Sequence, residues 1–256
     1  FAAGEWDSIR EILANDFSQD DRRRVVGAGV RRGRDDEIAD LRAIADLWSG
    51  NATGTYLATR GERLDLMRLR FSLPVQGDEA FVTEMLGVGE INAEGRIVAA
   101  IAFDPDDIDA AFEELDARYL AGEASAHADA WSAVMGAYVA VNRQELPRTT
   151  KDWVNVDRRR GTAFAPGDLA AYLGSVWDVT PDISIHIEAV HRLSGLGAVV
   201  THTAKATSLE GFEAEWREIT ISTVEGDLIN RSELFDEADL DVALARFDEL
   251  DRPASS

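Results

Sequence analysis

The chain has 256 residues, 45% of them hydrophobic, enough for one large core or two of ordinary size. Its 48 acidic residues against 26 basic ones leave a net charge of −22, which repels phosphate backbones and anionic lipid and argues against nucleic-acid and membrane partners. With no cysteine, disulfides, thiolate nucleophiles and Cys-based zinc sites are excluded; no apolar run nears the roughly 20 residues of a membrane span, no signal peptide opens the chain, and a cytoplasmic setting is expected.

In chain order, Glu5–Ala14 has the helical period, with Trp6, Ile9, Ile12 and Leu13 on one stripe. A polar segment containing Asp20-Asp21-Arg22 follows, then a Gly-rich turn through Gly33. Asp36–Leu47 reads as a second amphipathic helix, broken by Gly50–Gly54. Thr55–Thr59 and Glu62–Phe71 read as strands, 72–80 as a loop, and Phe81–Ile91 and Arg96–Phe103 as the rest of a meander. Asp106–Leu120 is a helix whose acidic first turn suits the helix dipole.

The order then repeats. Ala126–Asn142 is helical, Asp152–Arg160 alternates like a strand, and Pro166-Gly167-Asp168 opens a helix through Trp177. Ile183–His191 and Ala198–Ala206 form a hairpin, Glu213–Thr223 and Leu228–Leu234 close the sheet, and 238–250 is the last helix. Phe81, Glu84 and Glu94-Gly95 recur 131 residues later as Phe212, Glu215 and Glu225-Gly226. Phe103-Asp104 recurs 132 residues later as Phe235-Asp236, so the copies differ by one residue of spacing. Two copies of one α+β domain are therefore expected, at 1–122 and 123–256, the first lacking the beginning of its first helix. The junction near Gly122–Ser125 is short, which favours copies packed as a pseudo-dimer. The Arg- and Ala-rich bias suggests a bacterial, GC-rich genome.

Helix, helix, strand, helix and then a four-strand meander resembles the cone-shaped nuclear-transport-factor-2-like superfamily over nearly the whole chain. Residues 152–169 (DWVNVDRRRGTAF…PGDL) and 59–71 (TRGERLDLMRLRF) are similar to the first strand and central hairpin of its SnoaL-like branch. The tandem also resembles terminal modules of large actinobacterial regulators. The resemblance implies curved antiparallel sheets wrapped around helices, each enclosing an apolar cavity at the mouth of a cone. It implies a small apolar or polyketide-like ligand and no cofactor. Members range from binding proteins to cyclases, isomerases and epoxide hydrolases, so fold alone does not choose among them.

A more distant resemblance, to limonene-epoxide hydrolases, gives a chemical template: Arg-x-Asp on the long strand and a second acid two residues before a closing Phe-Asp. One carboxylate activates water, the other protonates the opening epoxide, and Arg separates their charges. In copy one, Arg63-Leu64-Asp65 fits locally, while alignment on the turn Gly61 puts Arg68-Leu69-Arg70 there instead. Its second acid is replaced by Ile101 or Ala102, whereas copy two carries Glu233 two residues before Phe235. His186 and His202 lie on the neighbouring hairpin, so Glu233, His202 and His186 are the candidate acid–base cluster. Asp157 and Arg159 recur as Asp21 and Arg23, and are either ligand anchors or structural pairs. Most aromatics read as core; Tyr56 and Trp216 are the expected ligand contacts. No HExxH, phosphate loop or nucleophile elbow occurs, and no metal is expected. The leading expectation is therefore binding of a small apolar molecule in a regulatory or accessory role, and the alternative is an acid–base enzyme with its pocket in copy two.

Overall fold

The computed structural model describes residues 6–47, 50–73, 81–160, 169–180, 182–207, 211 and 213–252. The chain divides into two compact units, Phe1–Ala121 and Gly122–Ser256. Among the described residues no helix is long and apolar enough to cross a membrane.

Unit 1 begins with α1 (Trp6–Ile12) and β1 (Leu13–Asp21), followed by β2 (Gly29–Arg32), α2 (Arg34–Leu47), β3 (Asn51–Arg60), β4 (Leu64–Leu73), β5 (Phe81–Ile91), β6 (Ile97–Phe103) and α3 (Ile108–Ala121). Its six strands form one sheet in the order β2-β1-β6-β5-β4-β3. The helix expected over Glu5–Ala14 stops at Ile12, and the polar segment after it is a strand. Parallel pairing with β6 and antiparallel pairing with β2 satisfy its backbone, and Leu13, Ala14 and Phe17 turn inward despite the polar residues between them. This parallel pair makes the sheet mixed, where the meander by itself would be antiparallel.

β3 also starts earlier than the glycines suggest. Gly54 lies within it, where a Cβ would stand 2.6 Å from Met67 Cε and 3.2 Å from Leu69 Cδ2; the missing side chain leaves room for those of Met67 and Leu69. α3 packs on one face of β3–β6, over fully buried Leu66 and Leu86. There Arg60, 0% exposed, donates from Nε to Asp116 at 2.6 Å. On the other face, α1 and α2 cover β1 through Leu13, Phe17 and Ile38.

Unit 2 repeats the plan with α4 (Ala128–Asn142, after a short 3-10 turn), β7 (Thr149–Asp157), α5 (Leu169–Val179), β8 (Ser184–Ser194), β9 (Gly197–Thr207), β10 (Glu213–Glu225), β11 (Leu228–Asp236) and α6 (Leu240–Leu250). The sheet order is β7-β11-β10-β9-β8, again closed by a parallel pair, β7 with β11. Pro166-Gly167-Asp168, Trp48 and Phe212 lie outside the described residues.

Alternation along these strands assigns two faces. One carries Val199, Ile219, Ile221 and Phe235, sealed by Ala243 and Phe247 of α6. The other carries His202 and Ala204 of β9, Trp216, Glu218, Thr220 and Ser222 of β10, and Ser232 and Leu234 of β11, beneath α4 and α5.

The Asp-Arg-Arg-Arg run that occurs in both copies has one structural job. Arg22 and Arg158 each donate their backbone N–H, at 2.9 Å, to Ala102 and Leu234 of the last strand. Their guanidinium groups sit over Phe103 and Phe235, at 5.4 and 5.7 Å. Arg23 and Arg159 grip Asp21 and Asp157 with both Nε and Nη2. Arg24 and Arg160 reach Asp104 and Asp236. Each run therefore ties the first strand to the last within its own unit.

Candidate ligand-binding site

The α4–α5 face of unit 2 holds a cavity of about 120 Å³ that opens to solvent. Its walls are apolar: Tyr138 and Val141 from α4, Tyr172, Leu173 and Val176 from α5, and Ile185, Ala204 and Trp216 from the sheet. Helical spacing explains α5, since residues 172, 173 and 176 share one side. Such walls with few polar groups describe a site for a small, mostly apolar ligand.

The polar groups form a chain. His202 stands opposite Glu218 in the β9–β10 register, with Nε2 3.5 Å from Glu218 Oε2. Its Nδ1 lies 3.1 Å from the Tyr138 hydroxyl and 3.3 Å from that of Thr220. The network is satisfied when Nε2 carries the proton toward the carboxylate and Nδ1 accepts from the hydroxyls. Glu218 also accepts from Arg159 Nη1, and Arg159 is held by Asp157 at 2.6 and 2.9 Å. Burial pushes the Glu218 carboxyl up, but His202 and Arg159 outweigh it and leave it below the usual glutamate range. An ionised carboxylate therefore sits 9% exposed in an apolar pocket, its charge balanced from behind.

Several expected site residues lie elsewhere. Glu233, 0% exposed, points to the α6 face, opposite His202. Arg158, Arg231 and Arg246 surround it at 2.6, 2.9 and 3.2 Å. Burial raises its carboxyl, and the hydrogen bond and charge of Arg158, with Arg246, reverse that and lower it. A carboxylate enclosed by three cations is a poor base, and it is separated from the cavity by the sheet. His186 pairs with Thr203 and so lies on that same opposite face. The acid–base cluster of Glu233, His202 and His186 is thus not formed, because alternation sends its members to opposite sides.

In unit 1, Arg63 is exposed in the turn before β4, so it shares no strand face with Asp65. Arg68 pairs with Glu84 at 3.5 Å, and Tyr56 is 65% exposed. Asp65 is half-buried over Gly89, and burial pushes its carboxyl up. The face that bears the His202–Glu218 chain in unit 2 carries Asp65, Met67, Leu69, Gly87 and Gly89 in unit 1. Trp216 and His202 line the unit 2 cavity, with Arg159 and Asp157 behind Glu218.

Glu218, Tyr138 and Thr220 escaped the sequence reading. The signal was the alternation Trp216-x-Glu218-x-Thr220-x-Ser222, which sets a polar row against isoleucines. Its pairing with His202 depends on a register that the sequence does not give.

No family model matches the sequence, and no curated protein gives a significant match. Solved structures do resemble it. AclR from Streptomyces galilaeus, named as a hydroxylase, is 13% identical over 51% of this chain and 90% of its own, with a TM-score of 0.38. A protein from Jannaschia sp. CCS1 named as a SnoaL-like polyketide cyclase is 12% identical over 50% of this chain and 96% of its own, with a TM-score of 0.36. SalBIII, an epoxide hydrolase/cyclase-like enzyme of pyran ring formation in the polyether salinomycin, is 17% identical over 39% of this chain and 78% of its own, with a TM-score of 0.32. Such likeness concerns fold and brings no substrate with it. In its own architecture the chain is a tandem of two α+β units, each a mixed sheet carrying its helices on both faces.

Proposed function

We propose that unit 2 binds a small, largely apolar molecule in an accessory or regulatory role, holding one oxygen of it at the Tyr138–His202–Glu218 chain. The single observation that carries this reading is the buried, charge-balanced His202–Glu218 pair on an otherwise apolar cavity. A structural core has little use for an ionised carboxylate and an imidazole that face an open space. Tyr138 and Thr220 present hydroxyls that donate or accept, which suits a carbonyl, hydroxyl or ether oxygen. Native mass spectrometry of the purified chain tests this: a small molecule retained by the wild type and lost from Trp216→Ala and Glu218→Gln supports it. Retention by both folded variants counts against it.

The same geometry supports a second reading, acid–base catalysis in this cavity. Phenol, imidazole and carboxylate stand in sequence, so a proton passing between ligand and Tyr138 is exchanged with His202 while Glu218 balances the imidazolium. This site replaces the one centred on Glu233. Turnover of a panel of epoxides and ketones that falls in Tyr138→Phe and His202→Gln would favour it over simple binding.

A further inference from the structure

The cavity face of unit 2 holds a second group of polar side chains that the His202–Glu218 chain does not use. Asn155 of β7, Ser232 of β11 and Ser222 of β10 are direct neighbours in the sheet register. Ser222 and Ser232 line the cavity, and Asn155 points to the same face as Ser232, its partner across the parallel pair. Asn155 is 1% exposed, and among the described residues neither its amide nitrogen nor its amide oxygen has a hydrogen-bond partner. A buried amide with both ends unmatched is rare enough in folded chains to call for a missing partner.

Unit 1 supplies an internal control. The residue equivalent to Asn155 is Gln19, and Ala100 stands where Ser232 does. With its amide nitrogen facing Glu37, Gln19 donates to both carboxylate oxygens at 2.7 and 2.8 Å. The amide is therefore satisfied from within in unit 1, while in unit 2 it is not, and a hydroxyl has been added beside it.

Along β10, Ser222 is four residues from Glu218, about 13 Å at about 3.3 Å per residue. Leu234, Thr220 and Val200 fill the row between the two groups. The cavity face is thus polar at two levels and mainly apolar between them.

We infer that Asn155, Ser222 and Ser232 form a second polar pole of this cavity, so that its ligand is an elongated apolar molecule with a hydrogen-bonding oxygen at each end. The inference rests on the ligand-binding reading above. The far oxygen is a hydroxyl, because Asn155 offers one donor and one acceptor in need and the serines accept either role.

The test compares decanol with decanediol, whose two oxygens are about as far apart as the poles, by titration calorimetry on the full chain. The expected result is about tenfold tighter binding of the diol, the gain of roughly one well-placed hydrogen bond. That preference falls to near unity in Asn155→Leu and in Ser232→Ala, while decanol binds each as it binds the wild type. Should Asn155→Leu fail to fold, Ser232→Ala decides alone, since Ala is the residue of unit 1 at that position. Equal binding of both alcohols by the wild type, or a preference unchanged in the variants, overturns the second pole and leaves the cavity reading standing. Binding of neither alcohol overturns the cavity reading and this inference with it. An ordered water on the Asn155 amide that persists in a crystal structure with bound diol also overturns it.

Discussion

Arg246 Nε lies 3.2 and 3.3 Å from the two carboxylate oxygens of Glu233. In unit 1 the helix position equivalent to Arg246 is Glu114, and the strand position equivalent to Glu233 is Ile101. The acids that hold the first arginine of the repeated run differ between the units: Arg22 also binds Asp20 at 2.6 Å, where unit 2 has Val156. Arg22 reaches Glu114 on α3 at 2.9 Å, and Arg158 reaches Glu233 on β11 at 2.6 Å. Once the helix carries arginine, the strand must carry the acid. Glu233 therefore has a structural origin within the duplication, although its sequence position resembles that of a catalytic carboxylate.

Replacing Glu233 with Gln is expected to destabilise unit 2 without altering the cavity. Breaking a buried ion pair costs about 3–5 kcal/mol, and discounting for arginines that can turn to solvent brings this to about 2 kcal/mol. Those arginines are 25–41% exposed. Denaturant unfolding measures it. The pair Glu233→Ile with Arg246→Glu puts the acid on the helix, as Glu114 is in unit 1, and should recover part of the loss, so the two changes are strongly non-additive.

Acid should unfold unit 2 through the same groups. Glu218 and Glu233 both have folded values below the ordinary 4.5. Their stabilisation is fully present above 4.5 and is lost as pH falls through the lower folded values. Thermal midpoints are expected to vary little between neutral pH and about pH 5 and then decline. In Glu218→Gln with Glu233→Gln the decline should be shallower, from a lower starting point.

Asp65 carries the opposite sign. Burial raises its carboxyl above the ordinary 3.8, so its ionised form is a cost at neutral pH. The matching face of β9 holds Ala198 and Val200. Asp65→Val is expected to stabilise unit 1 by about 0.5–1 kcal/mol at neutral pH, with the gain shrinking as the medium is acidified through the raised folded value. A chemical melt at two pH values checks it; equal effects at both would contradict the electrostatic cause.

Gly197 begins β9 at φ 147°, where an added Cβ would stand 2.0 Å from the Ser222 carbonyl oxygen and 2.7 Å from Thr223 Cα. Because both obstacles are backbone, Gly197→Ala should cost more than about 3 kcal/mol and reduce soluble yield sharply. Gly195, two residues earlier, has open space at its Cβ position, so Gly195→Ala serves as the near-neutral control in the same hairpin.

The duplication, the order of helices and strands and the α+β class were legible in the sequence, because hydrophobic period and turn residues act over a few neighbours. The parity of the β8–β9 hairpin was legible too, with Ile185 and Ile187 opposite to His186. What the sequence could not carry was anything set between distant strands. The polar β1 is a strand because β2 on one side and β6, some eighty residues away, on the other satisfy its backbone. Glu218 meets His202 only through a register fixed by the whole sheet, and one residue of parity puts Glu233 on the far face, among arginines. By itself the sequence determined what this protein is built from. The tertiary structure decided which carboxylate faces the cavity, because sidedness in a sheet is a property of pairing, and pairing is a long-range choice.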